Sequence, residues 1–122
     1  MKFHRVLLFT NISMDVTPVG DDLHILLLGG DNPYLGCTAM ASPAEDPEDP
    51  EVPSCDISVI TTMEDPESTF CIYVADKICK ATGKNVLCTG GVYVPNPSEH
   101  EVSKLYENVD DLIKEWLFFY AD

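Results

Sequence analysis

The side chains in this sequence that could do chemistry are thinly spread. Three histidines, His4, His24 and His100, fall near the start, inside an apolar run and beside a helix-capping pattern, and no two of them share a metal-ligand spacing. General-base or nucleophilic catalysis needs a second group within hydrogen-bond reach, and no Ser–His or Cys–His pairing follows from these positions. His24 reads instead as a sheet residue satisfied by its neighbours. The cysteines Cys37, Cys55, Cys71, Cys79 and Cys88 are odd in number, lie in apolar segments and include no C-x-x-C, the pattern of reduced core thiols rather than of disulfides or zinc ligands. The 21 Asp and Glu residues come mostly in runs, which solvate well and do not mark out two carboxylates for glycosidase-type work.

What remains is a constellation of glycines and tyrosines. Gly29-Gly30 and Gly90-Gly91 each end an apolar run, and each pair is followed by a tyrosine, Tyr34 or Tyr93. Neither pair opens a helix, so neither is a nucleotide-phosphate fingerprint. Glycine's access to positive φ makes each a tight turn, or a place where a ligand or partner comes close to the backbone. A cleft between the two turns is the candidate ligand site, with Gly29, Gly30, Asp31, Tyr34, Gly36, Gly90, Gly91 and Tyr93 around it. A second candidate lies at the end of the chain. Trp116, Leu117, Phe118, Phe119 and Tyr120 put bulky apolar groups all around one helical turn, more than a one-sided helix needs. Core packing accounts for Trp116 and for Phe119 or Tyr120; Trp116, Leu117, Phe118 and Phe119 are the candidate partner-binding residues.

The elements that must position these residues follow from periodicity. From Val6 to Val16 apolar residues recur at even positions, a period of two that predicts a strand, with Leu7 and Phe9 making its first half apolar on both sides. Pro18, Gly20, Asp21 and Asp22 reverse the chain, and Leu23 to Leu28, interrupted only by His24, suits a central strand. Gly36 to Ala41 is a third strand, completing a meander, and Cys55 to Met63 a β-branched fourth. Between them, 43–54 combines four prolines with alternating acids and predicts a mobile loop, either a solvated hairpin extension or a docking segment for a basic partner. Asp65, Pro66 and Glu67 then make a helix start, and Phe70, Cys71, Val74, Ala75 and Ile78 a helical face ended by Gly83. Val86 to Cys88 is a fifth strand, continued as extended chain to Val94. Ser98 with Glu101 is a capping box, and Val102, Leu105, Val109, Leu112, Ile113 and Trp116 form a long helical stripe.

Strands followed by segregated helices predict an α+β fold: a largely antiparallel sheet of five to six strands with two helices on one face, in a single domain over 1–122. Leu26, Leu28, Leu7 and Phe9 then leave the other face partly apolar, and a second copy of the chain is the expected cover. A formal charge of −14 opposes binding to nucleic acid or to an anionic membrane. The longest apolar runs are far shorter than the roughly 20 residues of a membrane-spanning helix. With no signal-peptide pattern at the start, the expected location is the cytoplasm.

The segments L-L-L-G-G-D-N-P-Y-L-G at 26–36 and G-G-V-Y-V-P-N-P-S-E-H-E at 90–101, with the helix after Asp65, resemble the prenylated-flavin chaperone family, small D-subunit-like proteins encoded beside decarboxylases of the gallate type. That family is similar in fold to the small proteasome-assembly chaperones. The resemblance covers about Val19 to Ile113. It implies a dimeric, non-catalytic maturation factor for a decarboxylase apoenzyme, with prenylated FMN as the associated cofactor. Where the family tends to carry histidine this chain has Tyr34 and Tyr93, and where it tends to carry an acid this chain has Pro95. A phenol stays neutral near pH 7, whereas an imidazole can grip a phosphate or exchange a proton. Two further readings stay open: a scaffold like the proteasome-assembly chaperones, and a small enzyme using Tyr34 or Tyr93.

Overall fold

The computed structural model describes residues 1–30, 34–61 and 69–120. Six strands form: β1 (Lys2–Val6), β2 (Asn11–Val19), β3 (Asp22–Gly30), β4 (Cys37–Glu45), β5 (Pro53–Thr61) and β6 (Val86–Tyr93). Two helices complete the chain, α1 (Thr69–Thr82) between β5 and β6 and α2 (Glu99–Tyr120) at the end. The predicted α+β class is what the structure shows, with one mostly antiparallel sheet in the order β1-β2-β3-β6-β4-β5.

The structure departs from the sequence expectations in two places. The single strand expected over Val6 to Val16 is two: the chain turns at 7–10, where Leu7 N–H donates to Thr10 C=O at 2.8 Å, and β1 pairs antiparallel with β2. Leu7 and Phe9 are apolar because this turn folds them against the core, not because a strand is greasy on both sides. The meander also stops at β3. β4 pairs with β6, and β6 lies parallel to β3, inserted between them. Alternation tells a strand which face to bury but not which neighbour to choose. The crossover through α1 is what delivers β6 into the middle, where parallel strands are usually buried.

One core holds both helices against the same face. Ile12, Met14, Val16, Leu23, Ile25 and Leu27 from the first half of the sheet are buried beneath Leu105, Val109, Leu112 and Trp116 of α2 and Phe70, Val74 and Ile78 of α1, in one cluster. Cys37, Ala39 and Ala41 keep β4 thin where α1 packs on it. Full burial of each of the larger aliphatics contributes about 1.5–3 kcal/mol, so this face carries most of the stability. Gly83 at φ 69° ends α1, its N–H donating to Cys79 C=O at 2.8 Å. The predicted cap at Asp65, Pro66 and Glu67 lies outside the described residues. The capping box of α2 is present, with Ser98 N–H donating to Glu101 Oε1 at 2.9 Å and Glu101 N–H to Ser98 Oγ at 3.1 Å.

The proline-rich stretch forms the far end of the β4–β5 hairpin. Pairing continues to Glu45 opposite Pro53, and Asp46 Oδ1 accepts from the N–H groups of Glu48 and Asp49 across the tip. Pro43 is tolerated because β6 pairs with β4 only from Cys37 to Ala41, so the missing N–H falls where β4 has one neighbour.

Candidate functional site

Residues alternate across each strand, so those between the buried ones face away from the helices. On that open face the central strands present Leu26 and Leu28 of β3 and Leu87 of β6, all half-buried, flanked by Met40 of β4 and Ile60 of β5, which are 39% and 72% exposed. Threonines lie among them, and Thr89 Oγ1 meets His24 Nε2 at 3.1 Å, so His24 is a sheet residue with a local hydrogen bond. Leu26 and Leu28 were legible in the sequence; Met40, Leu87 and Ile60 were not, because only strand order puts them beside the leucines. Leu7 and Phe9 do not contribute to this face.

At one end of this face the two glycine pairs come together. In the parallel register Leu27 lies opposite Gly90, Leu28 opposite Gly91, Gly29 opposite Val92 and Gly30 opposite Tyr93. The pairs are neighbours in adjoining strands rather than opposite walls of a cleft. Gly30 at φ 88° and Gly90 at φ 128° hold backbone conformations that side chains rarely adopt. A Cβ on Gly30 would run into the Tyr93 carbonyl oxygen, and one on Gly90 into the Leu27 carbonyl oxygen. The glycines therefore let the ends of β3 and β6 approach. Gly36 N–H donates to Gly90 C=O at 3.0 Å, tying the start of β4 to the same corner. The half-buried ring of Tyr34 lies over the bare surface: a Cβ on Gly91 would sit 2.7 Å from its Cε1, and one on Gly36 2.5 Å from its Cε2. Tyr93, 38% exposed, meets that ring edge to face at 6.2 Å. Asp31 lies outside the described residues.

The C-terminal aromatics divide by exposure. Trp116 is in the core, stacked on Tyr120 at 4.7 Å, and Leu117 packs against that core. Phe119 leans on Phe3 at 6.1 Å while half exposed, and Phe118 is 69% exposed. Two hollows escaped the sequence reading. One of about 300 Å³ lies between this helix end and the β2–β3 turn, lined in part by Pro18, Asp21, Lys84 and Trp116. The other, about 540 Å³, lies between the 7–10 turn and the first turns of α2, lined by Leu7, Leu8, Phe9, His100 and Lys104. A run that reads as one strand gave no sign of the turn that creates the second.

The thiols are poorly placed for nucleophilic work, which needs thiolate. Burial pushes Cys37 up to about 11, and burial with its Cys79 neighbour pushes the half-buried Cys55 up to about 12. The Cys88 thiol hydrogen-bonds to Cys71, which lowers Cys71 and raises Cys88, both deep in the core. Tyr73 donates to Asp110 Oδ1 at 2.6 Å, and this bond raises its phenol to about 12. Among the described residues no three His, Cys, Asp or Glu side chains gather as metal ligands, and no helix is long and apolar enough to cross a membrane.

This architecture defines a two-layer α+β protein with both helices on one side of its sheet and an apolar stripe on the other. The chain belongs to the family of prenylated flavin chaperone LpdD-like domains, whose profile matches residues 9–119. No curated protein gives a significant match. The family's cofactor can be weighed against the glycine corner: two phenol rings offer flat contact to a flavin ring, but the described candidate residues are glycines and tyrosines, with no cation for its phosphate, and Tyr34 already fills the space over Gly36 and Gly91. These described candidate residues do not by themselves fit prenylated FMN.

Proposed function

We propose that this protein is a non-catalytic maturation chaperone that holds a protein partner, a decarboxylase apoenzyme destined to carry prenylated FMN. Two copies pair through their open sheet faces, leaving the Tyr34–Tyr93 corner and the Phe118–Phe119 helix end to contact the apoenzyme. The observation that carries this reading, beside the family membership, is the one-sided sheet: Leu26, Leu28, Leu87, Met40 and Ile60 lie together where no helix covers them. An apolar patch of this kind usually marks an interface. The five named side chains carry no charge, and the nearest carboxylate on that face is Asp15, paired across from Leu26. The flavin is handled on the partner rather than in a cradle of this chain, a reading supported by the described candidate residues at the glycine corner being glycines and tyrosines.

The test is co-expression with a gallate-type decarboxylase, reading the fraction of enzyme that carries flavin absorbance, alongside the mass of the purified chaperone by light scattering. The expected results are a dimer that Leu26→Asp converts to monomer, and a holoenzyme yield that falls when the chaperone or its Phe118 is removed. Equal holoenzyme yield with and without the chaperone would sink the reading.

A further inference from the structure

The sheet ends in two edge strands, and the chain treats them differently. Unpaired edges invite pairing with other chains, so proteins usually shorten them, charge them or bend them with bulges. β1 is guarded in this way: it has five residues and carries Lys2, His4 and Arg5. β5 is guarded far less. It has nine residues, is rich in β-branched side chains, carries one charge, Asp56, and no Lys or Arg, and has its one proline at the first position. Its register with β4 runs unbroken from Glu45–Pro53 to Cys37–Thr61, without a bulge. β5 ends the sheet order, and its outer half is open, with Val59 42% and Ile60 72% exposed. Glu45, Asp46, Glu48, Asp49 and Glu51 crowd the hairpin tip at the β5 N-terminal end, with no basic residue among them.

We propose that the free edge of β5 is a docking strand for an extended segment of a partner protein, with β-branched residues along its length and lysine or arginine at the end beside the acidic tip. This rests on the reading of the protein as one that binds a protein partner, and adds where and what kind of segment. Strand addition supplies main-chain hydrogen bonds for affinity, and alternate side chains meet the two faces for specificity. The occupant is basic because five carboxylates stand at one end of the edge, and a second copy of this chain would bring another net charge of −14 to it. Edge pairing uses the outward backbone groups of β5 and the open-face contact uses side chains, with Ile60 bordering both.

A random peptide library displayed on phage and selected against the whole purified protein tests this. The expected winners alternate β-branched residues and end in lysine or arginine. As synthetic peptides they slow amide exchange in 53–61, and raising salt weakens them because the tip charges are exposed. Glu48→Lys with Glu51→Lys, both exposed positions, should weaken binding at least about tenfold, about 1.4 kcal/mol, without moving the melting temperature. Methylating alternate peptide nitrogens should abolish binding, since successive N–H groups on a strand point to opposite edges. Winners without a basic end, binding indifferent to the tip reversal, no winners at all, or protection of 53–61 by self-association instead would each overturn the proposal. Failure of the co-expression test with peptide binding intact would indict the decarboxylase reading and not this edge.

Discussion

Gly90→Ala gives a direct test of why the glycine corner exists. At φ 128° an alanine is outside the conformations a side chain tolerates, which costs about 1–3 kcal/mol. The new Cβ also lands on the Leu27 carbonyl oxygen and 2.9 Å from its carbon, a backbone obstacle that no rotamer can clear. β3 and β6 must part, and loosening two ladder bonds adds about 1–3 kcal/mol. The expected loss is about 2–6 kcal/mol, against a typical total of about 5–15 kcal/mol, or a fall on the order of 10–20 °C in melting temperature for a chain this size. Gly83→Ala is the control. Its φ of 69° is also positive, but nothing lies within 4 Å of its Cβ, so only the left-handed conformation counts, about 1 kcal/mol. Gly91→Ala separates the two halves of the corner, because its Cβ meets the movable end of the Tyr34 ring rather than backbone. It should cost little stability yet displace the ring from Tyr93, read as a change in near-ultraviolet circular dichroism. Urea melts of the three variants decide the matter. Should Gly90→Ala prove no worse than Gly83→Ala, the close approach of β3 and β6 is not what selects glycine there.

Two further outcomes follow from particular contacts. The bond from Tyr73 to Asp110 raises the phenol to about 12, above its unfolded value near 10, so its contribution is complete below about pH 10 and is lost as pH climbs toward 12; Tyr73→Phe should lower stability by about 1–2 kcal/mol at neutral pH and flatten that alkaline decline, measured by urea melts across pH. At the C-terminal helix, Trp116→Ala should cost about 3–5 kcal/mol as a core truncation, whereas the exposed Phe118→Ala should stay within about 0.5 kcal/mol of the parent and reduce only partner retention in a pull-down; a large melting shift for Phe118→Ala would place it in the core instead.

The local parts were legible from the residues alone. Period two at Ile12, Met14 and Val16, the stripe from Leu105 to Trp116, the Ser98–Glu101 box and the stop at Gly83 all act within a few residues, where spacing and capping chemistry suffice. The resemblance to the family was also legible there, in the segments at 26–36 and 90–101, despite Tyr34 and Tyr93 standing where the family tends to carry histidine. Tertiary structure decided everything that depends on neighbours distant in the chain. Alternation could not reveal that β6 slides between β3 and β4, because a strand's pattern records burial and not partnership. That insertion sets Gly90 against Leu27, lays Tyr34 over Gly91, and gathers Leu87 and Met40 beside Leu26 on the open face. It also leaves β5 at the margin. The apolar character of Leu7 and Phe9 misled for the same reason: a side chain can reach the core from a turn as well as from a strand, and only the folded path of the backbone tells the two apart.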